Sequence, residues 1–147
     1  MTFEIEDTHK ILVCGGRDFR FTDFIHGALD FYNQSFKVTD VVEGDANGVD
    51  RIAGDWADIN RIQKHVHKAN WKKHGRKAGP VRNRIMLDCH PDIAAVIAFP
   101  GGKGTAHMVD IARKAGKKVY VVNESPFFLN WVAKRVGHPG SDMRGIK

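Results

Sequence analysis

Long apolar runs are missing from this chain. The longest, Ile93 to Phe99, is only a strand's length, so no membrane-spanning helix and no membrane partner are expected. The segment Met1 to Lys10 is acidic and polar and lacks the apolar stretch of a secretory leader, which makes a cytoplasmic location the expectation. Cysteine is scarce as well: Cys14 and Cys89 are the only two, in no CxxC or Cys/His spacing. They read as reduced, small core residues rather than as a disulfide or a metal clip. His65 and His67 would share one face of a strand, but two histidines leave a metal site incomplete, and neither a metal nor a cofactor is expected. Two common nucleotide fingerprints are also absent. Gly15-Gly16-Arg17-Asp18 lacks GxGxxG, and nothing matches GxxxxGK[ST], which argues against a standard NAD dehydrogenase and a P-loop ATPase.

What is present is an alternation of short apolar strands and amphipathic helices. At 147 residues, with 42% hydrophobic and 27% charged residues, the chain suits one globular domain. The core is expected over about residues 10–136, with a polar, glycine-containing tail at 137–147. Lys10 to Cys14 reads as a buried strand, and Thr22 as the cap of a helix to about Asn33. Val38 to Val42 is a second strand, followed by a helix from Val49 to about Asn60 with Ile52, Ala53, Trp56 and Ile59 as its apolar stripe. Gln63 to Lys68 can form a third strand, Asn70 to Gly79 a basic loop, and Pro80 starts a helix to about His90. Ile93 to Phe99, a helix from Thr105 to Ala115 closed by Gly116, the strand Lys118 to Val122 and a helix begun by Ser125-Pro126 complete the pattern. The last helix carries Phe127, Phe128, Leu129 and Trp131, for packing on its own sheet or for an oligomer contact.

Five strands alternating with helices predict an α/β fold, a parallel sheet covered on both faces. Ligands of such sheets sit beyond the carboxyl ends of the strands, where the strand order switches. That rule gathers the loops Gly15 to Phe21, Glu43 to Val49, Ala69 to Arg82 and Pro100 to Thr105. The last of these is the most telling. Phe99-Pro100-Gly101-Gly102-Lys103-Gly104-Thr105 links a buried strand to a helix N-terminus, where glycines expose backbone N–H groups and the helix dipole favours an anion. Lys103 adds a mobile positive charge, and Thr105 suits the N-cap. The formal net charge of +6, concentrated in Lys64 to Arg84 and in Arg113 to Lys118, fits a phosphorylated ligand beside that turn.

Taken in order, Gly15-Gly16-Arg17-Asp18-Phe19, Gly44-x-x-x-Gly48-x-Asp50, Ala78-Gly79-Pro80-x-Arg82-Asn83 and Phe99-Pro100-Gly101-Gly102-x-Gly104-Thr105-Ala106 resemble the YspA-like group of the SLOG superfamily. That superfamily includes the LOG cytokinin-activating phosphoribohydrolases and the Rossmann-like part of DNA-processing protein A. The resemblance covers roughly Lys10 to Asn123. It implies a Rossmann-like nucleotide-binding domain, generally homo-oligomeric, whose PGGxGT loop holds a phosphate of a nucleotide or nucleotide-derived ligand. One departure stands out. LOG enzymes carry a catalytic glutamate three residues after the threonine, where this chain has Met108. Asp110, two residues on, is rotated ~200° around a helix and does not stand in for it.

The residues set for ligand and phosphate contact are Gly15, Gly16, Arg17, Asp18, Arg82, Asn83, Pro100, Gly101, Gly102, Lys103, Gly104 and Thr105. Arg17 and Arg82 suit bidentate phosphate contacts, with an internal salt bridge to Asp18 or Asp50 the other use of Arg17. Asn83 can bond a ribose hydroxyl or a base edge, or tie two loops together. His107, in a helix's first turn, suits a neutral hydrogen-bonder. Phe19 and Trp71 can stack on a base or simply pack.

Three functions compete. The first is a sensor or sequestering protein for a phosphorylated nucleotide. The second is an N-glycosidase releasing base from nucleoside 5′-monophosphates. An oxocarbenium-like centre needs a carboxylate, and Glu43 and Asp45 are set ahead of the other strand-end acids, Asp18 and Asp50. The third is single-stranded nucleic-acid binding through the basic segment, for which no aromatic-interleaved groove or recognition helix is evident.

Overall fold

The computed structural model describes residues 9–136. Strand β1 (His9–Cys14) is buried at four successive positions, Ile11 to Cys14, as a strand covered on both faces must be. β2 (Val38–Glu43), β3 (Gln63–Val66), β4 (Ala95–Ala98) and β5 (Val119–Val121) complete the sheet. The strand order is β3-β2-β1-β4-β5 and every pairing is parallel. The fold is therefore the expected Rossmann-like α/β arrangement, with its order switching between β1 and β4.

Side-chain alternation divides the core in two. Ile11, Val13, Val41, Ala95 and Ile97 face helices α1 (Thr22–Phe36), α2 (Val49–Ile59) and α6 (Pro126–Val136). Leu12, Cys14, Val42, Val96 and Ala98 face the other way. There α4 (Ala78–Cys89) and α5 (Lys103–Lys114) cover them with Met86, Met108 and Ile111. Helix α6 spends Phe128 and Trp131 on this same domain: Trp131 stands 5.1 Å from Phe24 of α1, ring centre to ring centre, and Phe127 stands 5.0 Å from Phe31. The buried Trp56 of α2 donates its indole N–H to Asp30 of α1 at 2.8 Å, which joins polar satisfaction to packing.

Several local expectations are corrected. Asn70 to Gly79 is not an open loop. Asn70 Oδ1 accepts the Lys73 N–H at 3.0 Å and caps a short helix α3 (Trp71–His74), and a 3₁₀ turn, Gly75–Lys77, leads straight into α4. Phe21 rather than Thr22 holds the N-cap of α1, without a side-chain bond. Helix α5 begins at Lys103 with Gly102 at the cap, so Thr105 lies inside the first turn. The glycines admit helical geometry two residues early, and Thr105 Oγ1 packs over Gly101 instead of capping. Ile59, the last residue of α2, is 70% exposed because the stripe has run off the sheet by then. Cys14 is buried as expected, whereas Cys89 faces outward from the last turn of α4. The tail at 137–147 lies outside the described residues.

Two helices close with the same pair of backbone bonds. After α5, Gly116 adopts φ +77° and bonds Arg113 O, while Lys117 N–H reaches Ala112 O, both at 3.0 Å. After α2, Arg61 takes the equivalent place at φ 56°, with Arg61 N–H on Asp58 O and Ile62 N–H on Ala57 O. A side chain is strained at such a φ. Arg61→Gly is therefore expected to raise unfolding stability by about 0.5–1 kcal/mol, read as a later urea midpoint at unchanged slope. An earlier midpoint would contradict the assignment.

Candidate functional site

The carboxyl ends of β1 and β4 meet backbone to backbone. Gly16 N–H donates to Pro100 O at 2.8 Å, and Phe99 N–H donates to Cys14 O at 2.9 Å. A Cβ on Gly16 would stand 3.0 Å from Pro100 O, and one on Gly101 would stand 2.7 Å from Gly16 N. The turn after β2 joins them: Gly48, at φ +81°, lies so close to Gly16 that a side chain there would collide with its carbonyl oxygen. Gly16 O accepts from Val49 N–H, the first residue of α2, at 3.3 Å.

A cleft of about 350 Å³ opens beside this junction. Of the residues expected at a site, Gly15, Gly16, Arg17, Asp18, Arg82, Asn83, Gly102, Lys103, Gly104 and Thr105 line it. Pro100 and Gly101 stand behind, holding Gly16. The first turn of α5 enters the cleft bare. No side chain caps it, and a Cβ on Gly102 or Gly104 would meet nothing within 4 Å. The N–H groups of that turn have no intrahelical acceptor and carry the positive end of the helix dipole.

Helix α4 frames the opposite wall. Arg82 reaches Gly44 O through Nη1 at 2.6 Å and Asn83 Oδ1 through Nε at 3.1 Å. Asn83, buried, donates from Nδ2 to Gly104 O at 3.2 Å and lies 3.1 Å from His107 Nδ1. An amide donor there requires His107 Nδ1 to accept, so the imidazole is neutral; burial, with Arg84 nearby, lowers its pKa in the same direction. Asn83 thus ties α4 to the first turn of α5. Arg17 is exposed and forms no ion pair among the described residues; its guanidinium lies 5.4 Å from the centre of the Trp71 ring. Phe19 is 1% exposed and packed among Phe21, Phe24 and Phe99, so it has no face for a ligand.

The acids separate by depth. Asp45 stands outside the main cleft, in an adjoining recess of about 270 Å³. Glu43 lines neither space: it is 2% exposed and its carboxylate lies against Gly54 of α2, accepting the Asp45 N–H. Burial, against the opposing pull of that N–H and reinforced by the charges of Asp50 and Asp45, pushes its pKa up to about 7. Asp50 is the buried carboxylate that does line the cleft. Burial raises its pKa to about 6, although the Ala46 N–H, at 3.2 Å from Oδ2, and the Arg82 charge pull the other way. The sequence favours Glu43 and Asp45 over it because those two directly follow the second strand. Its signal was its place in Gly44-x-x-x-Gly48-x-Asp50. Cys14 completes the floor, its thiol held protonated by burial. His65 bonds Asp40 at 2.8 Å and His67 bonds His90 at 2.9 Å. Among the described residues no group of three or more His, Cys, Asp or Glu is placed to hold a metal. No described helix is long and apolar enough to cross a membrane.

An acid whose pKa is raised on folding holds its proton longer in the folded state, so stability falls as pH rises from its ordinary value through its folded value. For Glu43 that window runs from the usual 4.5 to about 7. Glu43→Gln, which never ionises, is expected to gain about 1–2 kcal/mol over the parent at about pH 8 relative to about pH 4. Urea melts at both pH values measure the difference, and a gap independent of pH would contradict the burial of an ionising carboxyl.

The model of the YspA, cpYpsA-related SLOG family matches residues 9–74, from β1 to α3, which includes Gly15 to Asp18 and Glu43 to Asp50. The chain is also 34% identical over 125 residues to the Gene 61 protein of Mycobacterium phage D29, covering 80% of this chain and 98% of that protein. No solved structure matches. The segment match and a relative covered over nearly its full length together place this chain in the YspA, cpYpsA-related SLOG family.

Proposed function

We propose that the cleft binds a phosphorylated nucleotide or nucleotide-derived ligand, and that the protein acts as a sensor or sequestering protein for it. Membership of the SLOG family supports a nucleotide-related function in general. The observation that carries the finer reading is the uncapped first turn of α5, where Gly102 and Gly104 leave open space over bare backbone. Nothing among the described residues needs glycine at Gly104, since a methyl would touch no neighbour there. Close approach of a phosphate to the backbone does need it. Lys103 and Arg17 supply cationic side chains at the same cleft. Asn83 has its amide engaged by Arg82, Gly104 and His107, so it positions the turn rather than the ligand. Homo-oligomerisation belongs to the same proposal, resting on the family alone.

A second reading is favoured by Asp50. A carboxyl with a pKa of about 6 at a cleft can carry a proton toward a leaving base or, ionised, face an oxocarbenium-like centre. That makes N-glycosidic hydrolysis of a nucleoside 5′-monophosphate the alternative, with Asp50 in place of Glu43 or Asp45. Against the LOG arrangement, Met108 is fully buried on the core-facing side of α5 and brings no carboxylate.

Titration calorimetry with nucleoside mono-, di- and cyclic phosphates tests the first reading. Lys103→Ala is expected to weaken binding about tenfold, roughly 1.4 kcal/mol. Gly104→Ala is expected to weaken it while leaving the fold as stable or up to about 1 kcal/mol more so, because alanine favours the helix. No heat from any nucleotide would sink the proposal. Chromatography of the same panel for free base tests the second: release abolished by Asp50→Asn supports it, and intact nucleotides throughout remove it.

A further inference from the structure

Two recesses, not one, meet at Arg17 and Arg82. The main cleft ends on these side chains, and the adjoining recess of about 270 Å³ begins with them. In that second space Arg17, Arg51, Lys68 and Arg82 face a single carboxylate, Asp45. Asp45 orders two of the cations, lying 3.3 Å from Arg51 Nε and 3.7 Å from Lys68 Nζ. Arg51 is held further by Nη1 on Asn47 Oδ1 at 2.6 Å. The guanidinium is therefore oriented before any ligand arrives, and positive charge remains in excess. The recess also holds Trp71, 50% exposed, on the short capped helix α3, with the Arg17 guanidinium 5.4 Å from its ring centre. The other two tryptophans, Trp56 and Trp131, are 1% and 8% exposed and serve the core.

We infer that this recess is a second subsite, continuous with the first, for a further phosphoryl group and a planar ring stacked on Trp71. The ligand it fits is a dinucleotide-type molecule whose second phosphate lies between Arg17, Arg51 and Lys68. The inference rests on the reading of the main cleft as a phosphate site. It adds what that reading leaves open, namely the size of the ligand. Exposed indole and ordered guanidinium side by side match the two parts of a nucleotide, a π-face and an anion. Trp71 lies outside both core clusters, so the core does not account for an indole at this place.

The test uses three probes: adenosine 5′-monophosphate, adenosine 3′,5′-bisphosphate and the 5′-phosphorylated adenosine dinucleotide. Calorimetry gives the affinities, and tryptophan fluorescence reports stacking, since Trp71 is the half-exposed indole. The dinucleotide is expected to bind at least about tenfold tighter than the monophosphate and to quench the fluorescence. The bisphosphate is expected to gain part of the affinity with little quenching. Trp71→Ala should remove the quenching and most of the dinucleotide's advantage, and Arg51→Ala with Lys68→Ala should remove the bisphosphate's, each leaving the monophosphate affinity within about twofold. Equal affinities for all three probes overturn the second subsite while the phosphate reading of the main cleft stands. So does an advantage that survives both sets of substitutions. Failure of every probe to bind overturns the two together.

Discussion

The Gly16–Pro100 contact is the constraint on which the rest of this site depends. A 2.8 Å hydrogen bond between turns, made possible by missing side chains at Gly16, Gly48 and Gly101, brings three strand ends together at the switch in sheet order. Once those ends are locked, the first turn of α5 has one place to go, and its uncapped N–H groups open on the crevice. The same closeness leaves α2 starting at Val49 against Gly16 O, which sets Asp50 at the cleft wall. Backbone-to-backbone packing of this kind is rigid because no rotamer can relax it.

Charge is then arranged around that frame by depth. Cations stand at the mouth, with Arg17 and Lys103 exposed and Arg82 half-buried against Gly44 O. Carboxyls stand behind them, Asp50 and Glu43 both buried and both with raised pKa. Around neutral pH part of the inner negative charge is suppressed, which leaves the mouth more attractive to an anion than the count of acids suggests. The Asn83 bridge between α4 and α5 adds a mechanical link. Through Gly104 O and His107 it couples the helix bearing Arg82 to the turn that faces the cleft. Met108, buried in the core beneath that turn, supports it with packing where LOG enzymes place a charge.

The sequence by itself determined the architecture and the glycine-rich turns at the strand ends. Short apolar runs separated by helical spacing allow few arrangements other than a covered parallel sheet, and turn glycines at strand ends report close approach wherever they stand. The motifs at Gly15, Gly48 and Gly101 were legible for that reason, as was the packing role of Phe128 and Trp131. Tertiary structure decided which face each strand-end side chain takes. Glu43, at the end of β2, and Asp50, in the first turn of α2, are carboxylates seven residues apart, yet Glu43 turns under α2 while Asp50 reaches the cleft. Phe19 and Trp71 are both aromatic residues near a loop, and only the fold buries the first and leaves the second half open beside Arg17. The helical form of Asn70 to Gly79 was hidden by its charge, because a single Asn70 cap and the docking of α4 outweigh the weak propensity of so short a segment. Local pattern sets which elements form. Burial, which depends on everything packed around a residue, sets what each side chain can do.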